Sequence, residues 1–317
     1  YYGNELANGV RELEYSAQGN NYNWGYDPHN YFSPEGMYSE DPTDPELRIK
    51  ELKELIHAIH ERGMGVILDV VYNHTAKMEI FEDIVPGYYH FMDAQGNPKS
   101  SYGGGRLGTT HAMTRKLILD SIKYWVDEYK VDGFRFDLMG DMDAETVQMA
   151  CDVAKALNPN ILMLGEGWIT YAGDDGDPRV PADQRWMNQT DDVACFSDEI
   201  RNEVKSGFGC EGEPRFITGG KRNLLMLFAN IKGQPTNMTA DAPGDGVQYI
   251  AAHDNLTLHD VIAYSIRKDP AVKKHQEEIQ KRIRLGNTII LTSQGIAFLH
   301  AGQEYGRTKQ WLADGVP

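Results

Sequence analysis

The chain has 317 residues, of which 41% are hydrophobic and 25% charged, the composition of an ordinary globular protein rather than a disordered or fibrous one. Acidic residues outnumber basic ones by 47 to 31, and the net charge of −16 would repel nucleic acid and anionic lipid surfaces but not an uncharged ligand. No apolar run reaches the roughly 18 residues of a membrane span, so no membrane insertion is expected in this segment.

The first regular element in chain order is a helix that leads into a buried strand. Asp44 is placed to cap this helix, Pro45 suits its first position, and Gly63 is expected to mark its end. The next segment, 65–72, is a short apolar run that ends in polar residues. This pattern predicts a strand covered on both faces.

The alternation of helix and strand repeats along the rest of the chain. The pattern predicts helices over 114–129, 144–157 and 272–292, and strands over 133–138, 161–165, 193–196, 247–252 and 296–300. Strands that alternate with helices indicate a parallel sheet. The two long intervening segments, 75–110 and 168–192, are expected to be functional loops, and the glycine run 103–105 to be flexible.

Polar and charged side chains follow the carboxyl ends of the predicted strands. These residues are Asp69, Asn73, His74, Arg135, Asp137, Glu166, His253, Asp254, Gln303 and Glu304. In a (β/α) barrel the carboxyl ends of the strands form the active-site face, so these side chains are expected to converge in one pocket. The placement therefore predicts an enzyme.

Three carboxylates, Asp137, Glu166 and Asp254, each end a different predicted strand. Two carboxylates that flank a glycosidic bond can hydrolyse it, one by attacking or stabilising the sugar and the other by protonating the leaving oxygen. Each carboxylate alone could equally form an ion pair or cap a helix. Three of them on one face favour the catalytic interpretation.

Four segments resemble the signature regions of the α-amylase superfamily in their order and spacing. They are Asp69-Val70-Val71-Tyr72-Asn73-His74, Gly133-Phe134-Arg135-Phe136-Asp137-Leu138, Gly165-Glu166-Gly167-Trp168 and Ala252-His253-Asp254-Asn255. The segment Tyr22-Asn23-Trp24-Gly25-Tyr26-Asp27-Pro28 further resembles the motif of type I pullulanases. The resemblance implies an α/β fold, the TIM-type (β/α)8 barrel. Residues 1–317 would be a single catalytic-domain fragment holding about strands 3 to 8, with two strands expected upstream and a further domain downstream.

The resemblance also implies catalytic roles. Asp137 would be the nucleophile, Glu166 the general acid/base, and Asp254 would grip the sugar hydroxyls and distort the ring. Arg135 lies two residues before Asp137 on the same strand face. It would lower the pKa of the Asp137 carboxyl and keep it ionised.

Five further residues are implied in substrate binding. Tyr26 would stack beneath the cleaved glucose, where His74 and His253 would donate hydrogen bonds. Leu138 and Trp168 would line the aglycone side and favour α-1,6 links, although a tryptophan beside a glycine can also serve only in packing.

The expected activity is cleavage of α-1,6-glucosidic links in pullulan and in branched glucans derived from starch or glycogen. The superfamily retains anomeric configuration, which places the two catalytic carboxyl groups about 5–5.5 Å apart. The alternatives are an α-1,4-acting hydrolase of the same superfamily and a glucan-binding but inactive fragment. No metal is assigned and no cofactor is required, with calcium near Asn73 left open. The family suggests an extracellular or cell-surface location in a bacterium, with the cytoplasm as the alternative.

Overall fold

A computed structural model describes residues 24–308 except 103, 208, 209, 211 and 255. The predicted features at Tyr22, Asn23 and Asn255 lie outside these residues. The chain divides into two compact units. The first unit runs to Met163 and includes Thr170–Pro181, whereas the second contains Leu164–Ile169 and continues from Ala182. The prediction of a single domain over 1–317 stays a prediction.

The first unit contains the helix that was predicted to start at Pro45. Helix α1, Pro45–His60, begins after Asp44, whose Oδ1 accepts hydrogen bonds from the backbone N–H groups of Glu46 at 2.9 Å and Leu47 at 3.1 Å. Gly63 follows the helix with φ of +71°, the left-handed conformation in which glycine is favoured. Asp44 and Gly63 therefore mark the two ends of the helix as predicted.

The strands of the first unit are parallel and in register. Strand β1, Ile67–Val70, pairs with a strand at Gly133–Phe136, and Asp69 lies opposite Arg135 in this register. The backbone N–H of Leu162 donates to the carbonyl of Asp132 at 2.9 Å, which places the start of a third strand alongside. Helices Ala112–Tyr129 and Ala144–Leu157 complete this part of the chain. The buried apolar side chains include Ile118, Ile122, Phe134, Phe136, Val147 and Ala150.

The segment 75–110, predicted as a loop, contains a short helix, α2 at Glu79–Glu82, and a small hairpin. Strand β2, Ser100–Ser101, pairs antiparallel with β3, Gly104–Gly105. A Cβ added to Gly104 would lie 1.5 Å from the carbonyl oxygen of Thr75. The expectation of a loop is therefore wrong at residues 104 and 105, which form β3, and these glycines let two backbones approach closely.

The remaining strands and helices follow in chain order. The strands are β4, Gly133–Phe136; β5, Leu162–Gly165; β6, Val193–Phe196; β7, Gly246–Gln248; and β8, Ile296–Ala297. The helices are α3, Ala112–Tyr129; α4, Ala144–Leu157; α5, Asp198–Val204; α6, Leu224–Ile231; α7, Leu258–Ile266; and α8, Lys273–Thr292.

The second unit contains a parallel β6-β7-β8 sheet. Cys195 pairs with Gly246, and Val247 pairs with both Phe196 and Ile296. Helices α5, α7 and α8 bury an aliphatic core in this unit. The core residues include Ile200, Val204, Ile250, Leu258, Ile262, Ile279, Ile283 and Ile290.

The order of the main sheet is β1-β4-β5-β6-β7-β8 among the described residues, and the boundary between the two units falls within β5. The sheet order follows the chain, as a (β/α) barrel requires, and the predicted α/β fold class is confirmed. Several strands are shorter than predicted. The strand expected over 247–252 ends at Gln248, and the one expected over 296–300 ends at Ala297. In the part of the chain that is described, no helix has both the length and the apolar character needed to cross a membrane.

Candidate active site

In the first unit, the Asp137 carboxylate lies at the carboxyl end of β4 and is paired with an arginine. The Nη1 group of Arg135 donates to Asp137 Oδ1 at 3.0 Å and to Asp69 Oδ1 at 2.8 Å. The side chain of Arg135 is only 11% exposed. One guanidinium group therefore serves two carboxylates on adjacent strands. The predicted Arg135–Asp137 contact is present.

Asn73, in the segment that follows β1, fixes the orientation of Asp137. Its Nδ2 donates to the main-chain oxygen of Asp137 at 2.8 Å and to Oδ2 at 3.0 Å. Both oxygens of the Asp137 carboxylate thus accept hydrogen bonds, one from Asn73 and one from Arg135. A carboxylate held in this way has a defined direction of attack.

Burial raises the pKa of Asp137 above its ordinary value, and this cause is larger than the opposing ones. The charge of Arg135 and the hydrogen bond from Asn73 act downward on the pKa, while the charge of Asp69 acts upward. The predicted effect of Arg135 has the right sign. The net direction of the shift could not be predicted, because the sequence does not reveal how deeply the carboxyl group is buried.

Tyr26 and His74 lie in the same cluster. The Tyr26 hydroxyl donates to Asp69 Oδ2 at 2.7 Å, and the Arg135 guanidinium lies 5.7 Å from the centre of the Tyr26 ring. His74 is 2% exposed, with Nε2 at 2.9 Å from the Tyr26 carbonyl oxygen and Nδ1 facing Asn73 Oδ1. Burial lowers the pKa of His74, which favours the neutral ring. A neutral ring donates to only one of these two acceptors.

Leu138 follows the nucleophile candidate in a left-handed backbone conformation, with φ of +40°. This conformation is unusual for a leucine and is found mainly where surrounding structure holds it in place. The Leu138 carbonyl accepts a hydrogen bond from the Asp141 backbone N–H at 2.9 Å. Asp141 is buried and paired with Arg106 at 2.7 Å, so the turn after Asp137 is fixed on both sides.

In the second unit, Glu166 and Trp168 flank Gly167 at the end of β5. A Cβ on Gly167 would lie 2.6 Å from Cys195 Sγ, so the backbone runs too close to β6 for any side chain. The Gly167 carbonyl accepts from the Gln184 backbone N–H at 2.8 Å. These contacts set the path of the chain on which Glu166 is buried and Trp168 is half-buried.

Tyr249 follows β7 and lies within electrostatic range of two predicted catalytic carboxylates. Burial raises the pKa of Tyr249, and the charges of Glu166 and Asp254 act in the same direction. Arg201 acts downward on this pKa, and its Nη1 donates to the Tyr249 hydroxyl at 2.6 Å. His253 Nε2 lies 3.7 Å from Asp254 Oδ1, and both side chains are partly exposed.

Comparison with known proteins places the chain in a family. The model of the alpha amylase catalytic domain matches residues 17–102 and 87–315. The chain belongs to the alpha-amylase catalytic-domain family.

Among members of this family, pullulanases are similar to the chain. It is 63% identical to Pullulanase A of Streptococcus pneumoniae serotype 2 over 98% of its residues, which make up 25% of that protein. It is 36% identical to the pullulanase of Bacillus subtilis over 91% of its residues and 40% of that protein. The resemblance to type I pullulanases that the five motifs predicted is confirmed.

Solved structures give the same result. The catalytic module of the glycogen-degrading pneumococcal virulence factor SpuA, in complex with an inhibitor, matches with a TM-score of 0.90 and 65% identity, over 92% of this chain and 41% of that one. The Group B Streptococcus pullulanase SAP, in complex with maltotetraose, matches with a TM-score of 0.90 and 63% identity, over 94% and 39%. The chain thus spans between a quarter and about two fifths of the length of these relatives.

The sequence motifs of the alpha-amylase family did not identify all residues of the candidate site. Asp69 and Asn73 were placed at a strand end but received no role at Asp137. The parallel register that pairs Asp69 with Arg135 could have indicated the ion pair. Arg201 and Tyr249 were not selected at all, because their contact joins residues far apart in sequence.

A metal site was not assigned, and calcium near Asn73 was left open. Among the described residues, no group of three or more His, Cys, Asp and Glu side chains is arranged to hold a metal ion. The Asn73 side chain is also engaged at both ends, with its amide nitrogen on Asp137 and its oxygen facing His74.

Proposed function

We propose that the chain is the catalytic part of a retaining glycoside hydrolase that cleaves α-1,6-glucosidic links in pullulan and in branched starch or glycogen fragments. Asp137 is the nucleophile, Glu166 the general acid/base, and Asp254 the carboxylate that grips the sugar. Tyr26, His74, Arg135, Leu138, Trp168 and His253 bind substrate. The reaction needs no cofactor, because the two carboxyl groups supply both attack and proton transfer.

The observation that carries the proposal is the setting of Asp137. A nucleophilic carboxylate must be ionised and correctly oriented, and the Arg135 and Asn73 hydrogen bonds at 3.0 Å support both requirements despite burial. The tight turn at Leu138 directs the chain away immediately after this carboxylate. These features support displacement at a sugar carbon by Asp137.

The choice of the α-1,6 link rests on similarity rather than on geometry. The chain is 63% identical to Pullulanase A over 98% of its residues. The structure of the similar pullulanase SAP was solved in complex with maltotetraose. Loops around a shared pocket set bond preference in this fold, so the bond must be determined by experiment. We further propose an extracellular or cell-surface location in a bacterium, as the family resemblance suggested.

Product analysis on pullulan tests the proposed bond directly. In pullulan, maltotriose units with α-1,4 links are joined by α-1,6 links. The protein that contains this chain, expressed with its native flanking sequence, is expected to release maltotriose. An α-1,4-acting enzyme would release panose-type trisaccharides that keep the α-1,6 link and would also shorten linear amylose quickly.

Two variants control this assay. Asp137→Asn and Glu166→Gln keep the size of each side chain but remove the nucleophile or the acid, so each is expected to lose several orders of magnitude in turnover while still binding glucan. Panose-type products from the wild-type protein would overturn the debranching proposal and leave the fold untouched. A folded wild-type protein that binds pullulan but releases nothing would indicate a glucan-binding function.

A further inference from the structure

Arg201 lies between two aromatic rings in the second unit. It is the fourth residue of α5, and its guanidinium carbon lies 5.8 Å from the centre of the Trp168 ring and 5.5 Å from that of Tyr249. Both distances are within the range of an attractive cation–π contact. The cation therefore connects a loop tryptophan to a tyrosine at the end of the sheet.

The position of Arg201 is fixed from the Tyr249 side. Nη1 donates to the Tyr249 hydroxyl at 2.6 Å, and Nε donates to Asn202 Oδ1 at 3.0 Å. Tyr249 itself is 4% exposed and packs edge-to-face against Phe196, with ring centres 5.1 Å apart. The buried tyrosine thus anchors the guanidinium group of Arg201.

On its other side, Arg201 contacts the ring of Trp168. Trp168 is half-buried and follows Gly167, whose close approach to Cys195 and Gln184 fixes the path of the backbone. An indole ring whose face keeps one orientation binds a sugar more tightly, since a mobile ring must lose conformational freedom on binding. A planar cation anchored on a buried tyrosine can supply this orientation.

We propose that Arg201 is a positioning residue that holds the Trp168 ring in its glucan-binding orientation and thereby sets affinity on the branched side of the substrate. The proposal rests on the proposed function, in which Trp168 contacts the aglycone. Arg201 acts through Trp168 and not on the reacting atoms. Its loss therefore affects KM and leaves kcat almost unchanged.

A double-mutant cycle in the full protein tests this role. Arg201→Ala is expected to raise KM for pullulan about fivefold, with kcat changed by less than about twofold, because one cation–π contact is lost. In a Trp168→Ala background, the same substitution is expected to have almost no further effect on KM. Equal effects of Arg201→Ala in both backgrounds would overturn the proposal.

Fluorescence supplies a readout that a general loss of stability would not give. The emission of Trp168 is obtained by subtracting the spectrum of the Trp168→Phe variant, measured in the same Arg201 background. Arg201→Ala is expected to shift this emission to longer wavelength and to increase its quenching by acrylamide, because the indole gains access to water. Unchanged emission and quenching of Trp168 would contradict the proposed orientation.

Two conservative variants test the same contact with less risk of misfolding than Arg201→Ala. Tyr249→Phe keeps the buried ring but removes the hydroxyl that binds Arg201, so it is expected to reproduce part of the KM effect. Arg201→Lys keeps the charge without the planar group and is expected to rescue KM only partly. Full rescue by lysine together with wild-type KM in Tyr249→Phe would overturn the proposal. Arg284→Ala, which removes an exposed arginine on α8 of the same unit, is the matched control and should match the wild type.

The outcome is separable from that of the proposed function. Maltotriose release from pullulan tests bond choice in the wild type and requires no variant of Arg201. If maltotriose accumulates and the double-mutant cycle shows no coupling, the positioning role fails alone. If panose-type products appear and the coupling is present, the debranching proposal fails while Arg201 still orients Trp168.

Discussion

The carboxyl group of Asp137 experiences opposing influences that come from three neighbours and from burial. Burial favours the protonated form, whereas Arg135 and Asn73 favour the ionised form. Among the three neighbours that affect this pKa, Arg135, Asn73 and Asp69, Arg135 carries the positive charge. The balance at this residue should therefore respond to the removal of that charge more than to any other single change nearby.

Arg135→Gln is expected to move the acid limb of the kcat/KM profile to higher pH by roughly one unit. The proposed nucleophile acts as the carboxylate, so activity falls as pH drops through the pKa of Asp137. Removal of the downward influence of Arg135 raises this pKa further, and the limb moves up. The profile is measured on pullulan, with kcat also expected to fall.

Arg62→Gln provides the control for this profile, because Arg62 is an exposed arginine of the same unit and is not placed at the site. Its acid limb should coincide with that of the wild type. An acid limb that stays in place in Arg135→Gln would mean that a group other than Asp137 sets it.

Some properties of these residues could be predicted from the sequence and others could not. Residues two apart on a strand share a face, and this alone predicts the contact between Arg135 and Asp137. The net direction of the pKa shift depends on the depth of burial, which neighbouring segments determine. The hydrogen bonds of His74 also could not be predicted. The motif predicted that His74 donates to substrate, whereas in the structure its Nε2 lies against the Tyr26 carbonyl oxygen.

At the scale of elements, the hairpin of β2 and β3 lies beside the residue that follows His74. Gly104 and Gly105 have no space for side chains, because Thr75 and His90 occupy the positions where their Cβ atoms would be. The Gly105 backbone N–H also donates to Thr75 Oγ1 at 3.1 Å. The hairpin therefore supports the segment that follows β1 through backbone contact.

Gly104→Ala is expected to destabilise the protein by about 1–3 kcal/mol, because the added methyl group overlaps the Thr75 carbonyl and forces the hairpin to move. The change is measured as a lower urea midpoint together with reduced activity on pullulan. Gly244→Ala is the matched control, since nothing lies within 4 Å of its added Cβ. Equal stability of the two variants would show that the hairpin can shift without cost.

The elements that were predicted well carry strong local signals. Helix α1 has its cap and its proline, helix α4 shows clear helical periodicity, and β6 is a short apolar run with the expected bounds. Helices α5, α6 and α7 were missed. Helix α5 has only seven residues, and α6 exposes Leu224, Leu225 and Phe228, so its apolar pattern does not mark a buried face.

At the scale of the whole molecule, the excess of acidic residues should repel anionic substrates but not neutral ones. A net charge of −16 does not attract or repel a neutral glucan, so KM for pullulan should vary less than about twofold between about 50 mM and about 500 mM NaCl. An anionic derivative, carboxymethyl pullulan, should bind more tightly as salt increases because repulsion is screened. Strong salt dependence of KM for neutral pullulan would contradict this expectation.

Long-range contacts are the part of the molecule that the sequence predicted least well. Arg201 and Tyr249 are 48 residues apart, and neither lies in one of the five motifs. Strand alternation predicted the order of the sheet, because parallel strands with intervening helices follow one rule of connection. Which side chains meet above the ends of the strands depends on loop paths, and these are not encoded in a local pattern.

The sharing of Arg135 between two carboxylates has a consequence for electroneutrality during turnover. When Asp137 becomes an ester with the sugar, it gives up its negative charge, and an arginine paired with it alone would then be a buried cation without a counterion. Here the Asp69 carboxylate remains 2.8 Å from the same guanidinium. Arg135 thus keeps an ionic partner in both halves of the proposed reaction, and the covalent intermediate forms without a charge imbalance at this position.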